Sequence, residues 1–336
     1  MKAILSRLLI FSFPIIAIIA LLFILPYNRS FAYLNKNNQD CNTSWIYHRI
    51  FENKTNIDIA FMGTSHTGCG INDQLIEDSI QSNLNTTLNV TNIAYCGGGR
   101  NLDIVVLKDL IQNKKPKVVF IELRNENDAL HKDYGIIAPT IDLLFPPDFS
   151  EKYFSNLYDG IRSRWSQLRD EYIFGPKLEI NALQPIAEQL HLNKIPNDFA
   201  IYQKKKKIIL SNNNSQKHSF LEVFKDTIKT EKAITYAQEG IKTNFSDEKC
   251  MLKIVELLKK NNIAYYFIYI PSYEKYAENE IKKSPYAEMG TILFPPEIIF
   301  KNSNLWIDTE HLNLAGATKL SKWVSQEVQK NIPLLH

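Results

Sequence analysis

Cysteine is scarce in this chain, and the few cysteines present form no recognisable framework. Cys41, Cys69, Cys96 and Cys250 are scattered over 336 residues, which excludes a disulfide-stapled miniprotein. No C-x-x-C pair exists, so a structural zinc site has no support. A strong excess of one charge is also lacking, because 39 basic residues face 36 acidic ones for a net charge of +3. Nucleic-acid-binding proteins normally carry a basic excess, so we expect no nucleic-acid partner.

The rest of the composition is that of a folded protein. Hydrophobic residues make up 45% of the chain and charged residues 22%, which excludes a disordered polypeptide. At roughly 150 residues per domain, the length allows one large domain or two smaller ones.

The longest apolar run lies near the N-terminus, from Leu8 to Tyr27, and contains no charged residue. At about 1.5 Å of rise per helical residue, this run is long enough to cross a bilayer. A cleaved signal peptide is the alternative, because Lys2 and Arg7 precede the run and residues 30–32 resemble a cleavage site. The run exceeds the ~7–15 residues of a typical signal-peptide core, so an uncleaved anchor over residues 1–30 is favoured. Under both interpretations the bulk of the chain lies outside the cytoplasm.

Beyond the anchor, repeated units of strand, loop and helix predict a parallel sheet. Residues 31–55 are polar and Asn-rich and are predicted to form a stalk. The predicted strands and helices that follow are, in order, Ile57–Met62, a helix at Asp73–Gln81, Leu88–Tyr95, a helix at Leu102–Asn113, and Lys117–Leu123. Alternation of this kind indicates a parallel sheet covered by helices.

The α/β pattern stops over residues 130–246 and then returns. That stretch is predicted to be a helical insertion or lid, with an apolar stripe at helical spacing formed by Phe154, Leu157, Ile161, Trp165 and Leu168. The later elements are a helix at Glu248–Lys260, strands at Ile263–Ile270 and Leu305–Ile307, and a last helix from Asn313. We therefore predict one α/β domain from residues 56–129 and 247–332, a three-layer α/β/α sandwich with a flavodoxin-like parallel sheet.

Ser65 follows the first predicted strand and is preceded by Gly63. In open α/β sheets ligands bind outside the carboxyl ends of the strands, so Ser65 is placed where a nucleophile would be useful. A serine becomes a good nucleophile when a base lies within hydrogen-bond reach and a third group orients that base. A turn that needs Gly63 only for its backbone geometry is an equal alternative. Thr67 stands where a G-x-S-x-G motif has its second glycine, which disfavours the usual α/β-hydrolase fold.

Asp308 and His311 stand three residues apart between the last predicted strand and the last helix. One turn at this spacing can place a carboxylate on an imidazole and fix its tautomer. Asp128 and His131 have the same spacing, and for them a surface salt bridge is preferred. His66 is adjacent to Ser65 and therefore badly placed to be its base. We expect His66 to hold the loop or to line the pocket.

Half of the twelve glycines follow the first two predicted strands. Glycine lets the backbone approach a ligand and point N–H groups at it, as an oxyanion hole requires. Gly97, Gly98 and Gly99 are the candidates, with a phosphate loop or a plain tight turn as alternatives; no GxxxxGK[ST] motif is present. Asn125, after the third strand, is a candidate amide donor, and an exposed turn is the alternative.

The order of these blocks resembles the SGNH/GDSL hydrolase superfamily, in particular its membrane-anchored cell-envelope branch, which includes DltD-like and alginate-acetylation proteins. Gly63-Thr64-Ser65 is similar to the first block of the family, and Asp308 with His311 matches its closing D-x-x-H. The Gly97–Gly99 run stands where the second block contributes a glycine. The family's third block has an Asn after a Gly, whereas Asn125 follows an arginine.

This resemblance covers residues 56–125 and 248–330 and implies a serine esterase or O-acyltransferase. Ser65 is then the nucleophile, His311 its base and Asp308 the group that orients the base, with Gly97–Gly99 and Asn125 near the oxyanion. The implied substrate is an acyl ester, first of all an acetyl ester, of a cell-envelope polysaccharide. The resemblance implies no metal and no cofactor. It further implies a bacterial inner-membrane protein with a periplasmic or extracellular domain, working beside a multispanning membrane O-acyltransferase.

Two other functions stay open at this point. One is a non-catalytic envelope protein of the same fold that binds glycan or recruits a membrane acyltransferase, and the other is a membrane-bound lipid esterase. Cys69 and Cys96 follow adjacent predicted strands, so a disulfide between them is a further open alternative.

Overall fold

The computed structural model describes residues 2–34, 43–124, 130–146, 152–173 and 245–331. Its strands are β1 Ile59–Met62, β2 Val90–Asn92, β3 Val118–Leu123, β4 Ala264–Tyr269 and β5 Ile292–Leu293. They pair in parallel in the order β2-β1-β3-β4-β5. This is the strand order of flavodoxin-like doubly wound sheets, so the predicted α/β class with a parallel sheet is confirmed.

Helices precede, connect and follow these strands. Before β1 lie α1 Lys2–Ile24, α2 Arg29–Leu34, α3 Thr43–Tyr47 and a π-helical turn at His48–Glu52. Between β1 and β3 lie α4 Ser65–Gly70, α5 Asp73–Leu84 and α6 Arg100–Asn113. Between β3 and β4 lie α7 Tyr134–Ile137, α8 Thr140–Leu144, α9 Tyr153–Gln167, a π-helical turn Leu168–Ile173, and α10 Phe245–Lys260. The rest are α11 Glu278–Ile281, α12 Tyr286–Met289, α13 Ile298–Lys301, a 3₁₀ turn Ser303–Leu305 and α14 Leu314–Asn331. Within the described ranges no helix was found with both the length and the apolar character that a membrane crossing requires.

Alternate residues of the central strands face two separate cores. Ala60 and Met62 of β1 pack in a cluster with residues of α6 and α10, whereas Ile59 and Phe61 pack in a second cluster with residues of α5 and α14. A strand buried on both faces needs a continuous apolar sequence, which explains the run over β1. The result is a sheet between two helical layers.

This strand order places the end of β1 at the position where ligands bind in such sheets. The chain passes from β1 to β2 on one side and then crosses to β3 on the other. The crevice outside the carboxyl ends of the strands at such a reversal is the usual ligand site. The turn that carries Ser65 follows β1 directly at this edge.

Part of the predicted stalk packs on the α/β core instead of extending from it. Tyr33 of α2 and Ile46 of α3 are fully buried and belong to the same cluster as β1 and β3. The polar composition that predicted a stalk is concentrated in residues 35–42, which lie outside the described part of the chain. The apolar residues on either side of that tract form the packed helices.

The apolar stripe predicted in the insertion lies on α9 and is only partly covered: Leu157 packs against the first core. Phe154 is 76% exposed and Trp165 is 45% exposed, whereas Ser163 and Gln167 on α9 are buried. The polar side is buried because it bonds the segment after α1: Ser163 Oγ lies 2.6 Å from the Tyr27 hydroxyl oxygen, and Gln167 Oε1 accepts from the Asn28 backbone N–H.

The last predicted strand, Leu305–Ile307, is also wrong. Its first residue ends the 3₁₀ turn, and Trp306 makes only an isolated antiparallel bridge with Leu312. The fifth strand is instead Ile292–Leu293, which is too short to give a periodic signal in the sequence.

Candidate active site

Ser65 begins α4 at the carboxyl end of β1. Thr64 caps this helix, since its hydroxyl oxygen accepts from the backbone N–H of His66 at 3.2 Å. Residues 66–70 are buried, whereas Ser65 is half-buried. The turn therefore holds its other side chains inside the protein and leaves the Ser65 hydroxyl at the surface of the crevice.

The structure brings Ser65 and His311 together, although they are 246 positions apart in the sequence. The Ser65 Oγ lies 2.7 Å from His311 Nε2. On the other side of the ring, His311 Nδ1 lies 2.8 Å and 3.0 Å from the two carboxylate oxygens of Asp308. An ionised carboxylate only accepts, so Nδ1 carries the proton and Nε2 is left bare toward the serine.

Asp308 also fixes the backbone that carries His311. Its Oδ1 accepts from the backbone N–H groups of Glu310 at 2.9 Å and His311 at 2.8 Å. One carboxylate thus sets both the turn and the tautomer of the ring, which is what the spacing of three residues predicts.

The last helix connects this turn to the one that holds Ser65. On α14, the Ser321 hydroxyl oxygen accepts from the backbone N–H of Asn72 at 2.7 Å, and the hydroxyl lies 3.3 Å from the carbonyl of Gly70. Leu320, also on α14, is fully buried beside Gly70. Packing of α14 against the C-terminal end of α4 thereby helps to set the distance between serine and imidazole.

Glu122, near the end of β3, binds the turn of residues 63–67 that carries Ser65, called the serine turn below. Its carboxylate accepts from the backbone N–H and the hydroxyl of Thr64 at 2.9 and 2.8 Å, and from the same groups of Thr67 at 3.0 and 2.6 Å. Burial disfavours its ionised form, but the charges of His66, Arg124 and Arg100 and the Thr67 hydrogen bond outweigh burial and lower the pKa of Glu122 to about 2. Sequence analysis missed this residue, and the available signal was an acid inside a buried apolar strand.

His66 lies between two acceptors and contacts the turn that carries the base. Its Nε2 lies 2.9 Å from Glu310 Oε2 and its Nδ1 lies 3.3 Å from the carbonyl of Ile270. Glu310 also accepts from the Ser272 hydroxyl at 2.8 Å. Burial opposes ionisation of Glu310, but hydrogen bonds from His66 and Ser272 and the charge of His66 lower its pKa to about 2. Glu310 and Ser272 were not among the predicted site residues.

The glycine loop after β2 is supported from behind by His131. Gly97 and Gly99 have φ angles of 89° and 144°, which other residues rarely adopt, and a side chain at Gly99 would collide with the His131 backbone. The His131 Nδ1 accepts from the backbone N–H of Asp133 at 3.0 Å, so Nε2 carries the proton and donates to the Cys96 carbonyl at 2.9 Å.

This position of His131 corrects the expected surface salt bridge, since His131 is 2% exposed. Asp128, its predicted partner, and Asn125, the predicted amide donor, lie outside the described residues. Gly97, Gly98 and Gly99 follow β2, which is paired with β1, and therefore lie at the same edge of the sheet as Ser65.

Two further points concern cysteine and metal chemistry. Cys69 is a buried, reduced thiol whereas Cys96 is disulfide-bonded, so the disulfide considered between them does not form. In the part of the chain that the structure describes, no group of three or more His, Cys, Asp or Glu side chains has a geometry that could hold a metal ion. Ser65, His311 and Asp308 form a hydroxyl–imidazole–carboxylate arrangement of the kind that can carry out acyl transfer.

No family model matches this chain, and a search of curated proteins finds no match either. The function is therefore inferred from the geometry of the site.

Proposed function

We propose that this chain is a membrane-anchored, extracytoplasmic serine esterase or O-acyltransferase of the SGNH type. The observation that carries the proposal is the row of contacts from Ser65 Oγ to His311 Nε2 and from His311 Nδ1 to the Asp308 carboxylate. A purely structural role for His311 would not explain why one ring nitrogen contacts a half-buried serine hydroxyl while the other contacts a carboxylate. Together these contacts supply a nucleophile, a base and an orienting group.

The proposed reaction begins with transfer of the Ser65 hydroxyl proton to His311 Nε2 as the Oγ attacks the ester carbonyl carbon. A C–O bond to Ser65 forms, and the carbonyl oxygen becomes an oxyanion. When the oxyanion collapses, the bond to the leaving alcohol breaks and the proton on His311 passes to that alcohol. Water or a sugar hydroxyl then attacks the acyl-enzyme in the same manner, which restores Ser65. Asp308 stabilises the imidazolium in each half of the cycle.

Backbone donors are the proposed stabilisers of the oxyanion. The Ser65 amide is at the start of α4, and the Gly97–Gly99 loop lies at the same sheet edge. The positive φ angles of Gly97 and Gly99 allow backbone N–H groups to take orientations that other residues avoid, which is the use that an oxyanion hole makes of glycine.

The substrate and partner are proposed from the resemblance of the two matching sequence blocks. On that basis the substrate is an acetyl or other acyl ester of a cell-envelope polysaccharide, and the partner is a multispanning membrane O-acyltransferase. The SGNH-type assignment of the α/β/α core, with residues 130–246 as a helical insertion, has the same basis.

Membrane attachment is proposed from the distribution of exposed apolar side chains. Most of the large apolar side chains exposed in the described residues lie on α1 or between Ile141 and Ile173, a segment whose helix α9 packs against α1. The disulfide at Cys96 fits an oxidising, extracytoplasmic compartment. We expect the full chain to resist alkaline extraction from membranes, whereas release with the soluble fraction would contradict the anchor.

A fluorophosphonate probe tests the proposed catalysis directly, because it reacts only with an activated serine. We expect labelling of the full chain, no labelling of Ser65→Ala, and at least about 100-fold slower labelling of His311→Ala, because general-base catalysis contributes about 10²–10⁴-fold. Ser82→Ala, which removes an exposed hydroxyl on α5, is the matched control and should label as the parent does. Failure of the folded protein to label would contradict the proposal and favour a glycan-binding protein.

The substrate class needs a separate comparison. Release of acetate from acetylated envelope polysaccharide, measured against release of fatty acid from phospholipid, distinguishes the proposed activity from a lipid esterase. Each substrate should be tested with the parent protein and with Ser65→Ala, because only Ser65-dependent release counts.

A further inference from the structure

The His66–Glu310 pair lies beside the proposed catalytic contact and joins the same two turns. His66 is the residue after Ser65, and Glu310 is the residue before His311. The His66 and His311 rings are 5.9 Å apart between centroids. The turn that carries His311, residues 308–311, is called the base turn below. The serine turn and the base turn are therefore connected twice, once by Ser65 with His311 and once by His66 with Glu310.

The hydrogen-bond partners of His66 determine its protonation state. Nε2 faces the Glu310 carboxylate and Nδ1 faces the Ile270 carbonyl, and both of these groups are acceptors. A neutral imidazole has one N–H only, so it would leave a bare nitrogen opposite one of the acceptors, in a side chain that is 3% exposed. Both contacts are satisfied at once only when both ring nitrogens carry a proton.

We infer that His66 is a buried imidazolium and that its ion pair with Glu310 is a positioning device, which holds the turn carrying His311 in register with Ser65. This inference rests on the proposed function of the site. Neither residue touches the reacting hydroxyl, and both act through the backbone turns to which they belong. Ser272 extends the device to the loop after β4, because it donates to the same Glu310 oxygen.

The charges around His66 fit this assignment. The groups that interact with His66 are Glu310, which contacts its Nε2, His311, whose ring lies beside it, and Glu122, whose carboxylate is stabilised by its charge. Further charged groups act on these partners and not on His66 itself: Asp308 on His311, Arg100 and Arg124 on Glu122, and Lys275 on Glu310. Glu122 and Glu310 are both stabilised as anions by His66. Burial of a cation is costly, and the contact with Glu310 and the nearby charge of Glu122 offset that cost.

The protonation state can be measured without any assumption about activity. In full-chain protein with ¹⁵N-labelled histidine in detergent at pH 7, we expect both ring nitrogens of His66 to show the shifts of protonated imidazolium. The signals are assigned by their loss in His66→Gln. A His66 ring with one protonated and one bare nitrogen would overturn the inference, even if Ser65 labels as proposed.

The positioning role is tested by the pH profile of fluorophosphonate labelling. Glu310→Gln keeps the side-chain shape but removes the counter-charge, so we expect about 10- to 100-fold slower labelling and an alkaline loss of labelling that begins at lower pH than in the parent. Glu297→Gln removes an exposed carboxylate just before α13 and serves as the charge-matched control. This variant should keep the labelling rate and the pH profile of the parent.

The outcomes of the two measurements are distinct. If Glu310→Gln labels at the parent rate with the parent pH profile, the positioning role is wrong. If the parent protein does not label at all, the proposed function fails, and the nitrogen shifts alone then decide the charge of His66. A purely structural role would lower the unfolding midpoint of Glu310→Gln without moving the pH profile, and that result would also overturn the inference.

Discussion

At the scale of single residues, Glu122 holds the turn that carries Ser65 in its shape. One carboxylate accepts four hydrogen bonds from Thr64 and Thr67, the residues on either side of the turn that carries Ser65. Gly63 is required in the same place, because a Cβ there would lie 2.6 Å from the Glu122 Oε2. The serine turn is therefore built around a buried anion.

Replacement of Glu122 by Gln should destabilise the whole protein and slow the labelling of Ser65. The amide nitrogen of Gln would face donors, and the neighbouring cations would lose their counter-charge, so we expect a free energy of unfolding lower by about 3 kcal/mol. Urea unfolding followed by tryptophan fluorescence measures it. Glu297→Gln, an exposed change of the same kind, should stay within about 0.5 kcal/mol of the parent. Equal stability of the two variants would contradict the role given to Glu122.

The same carboxylate predicts how stability depends on pH. Its pKa is about 2 in the folded protein against an ordinary value of 4.5, so the unfolded chain binds the proton more readily. The stabilisation is complete above about pH 4.5 and is lost as the pH falls toward 2. The difference in unfolding free energy between the parent and Glu122→Gln should shrink by about 2 kcal/mol from pH 6 to pH 3. A difference that does not change over this range would show that Glu122 has an ordinary pKa.

At the scale of elements, the conformation of the glycine loop between β2 and α6 depends on Gly99 more than on Gly98. Gly99→Ala combines a φ of 144° with a collision against the His131 backbone, so we expect the loop to shift and labelling of Ser65 to slow by at least about 10-fold. Gly98, whose φ is not positive, gives the matched variant Gly98→Ala, which should label nearly as fast as the parent. If Gly99→Ala labels as fast as Gly98→Ala and the parent, the loop does not approach the oxyanion.

Elements with a continuous local signal were predictable from the sequence. β1 and β3 are short apolar runs buried on both faces, and β4 is an apolar run whose second half is buried. The helices α5, α6 and α10 begin within three residues of their predicted starts. Asp308 and His311 could be identified from the sequence for the same reason, because their contact is formed within one turn.

Elements whose burial depends on distant partners were not predictable. The buried side of α9 is polar because Ser163 and Gln167 bond the segment after α1, more than 130 positions away. Glu122 and Glu310 likewise meet Thr64 and His66 only after the sheet has formed. A pattern of hydrophobicity carries no information about such partners, which is why the contacts that set the geometry of the site were missed while its two ends were found.

At the scale of the whole molecule, the site exists only when both ends of the α/β core are assembled. Ser65 follows the first strand, and His311 precedes α14, which packs against α4 and α5 and covers one face of the sheet. The base turn is also tied to the loop after β4, where the Tyr273 backbone N–H donates to the Thr309 carbonyl at 2.9 Å. We therefore expect loss of the site and loss of the fold to be one cooperative transition.

A pair of leucine variants tests this coupling. Leu320→Ala on α14 removes a fully buried side chain that contacts the second core and lies beside Gly70 of α4, so the free energy of unfolding should fall by about 2–5 kcal/mol. Leu252→Ala on α10 removes a side chain that is 43% exposed and should change it much less. The urea midpoints of tryptophan fluorescence and of Ser65 labelling should move together in Leu320→Ala, because α14 supports both. If fluorescence shifts while labelling keeps its parent midpoint, the serine and base turns are held by contacts that survive the loss of α14, and the cooperative account of the site is wrong.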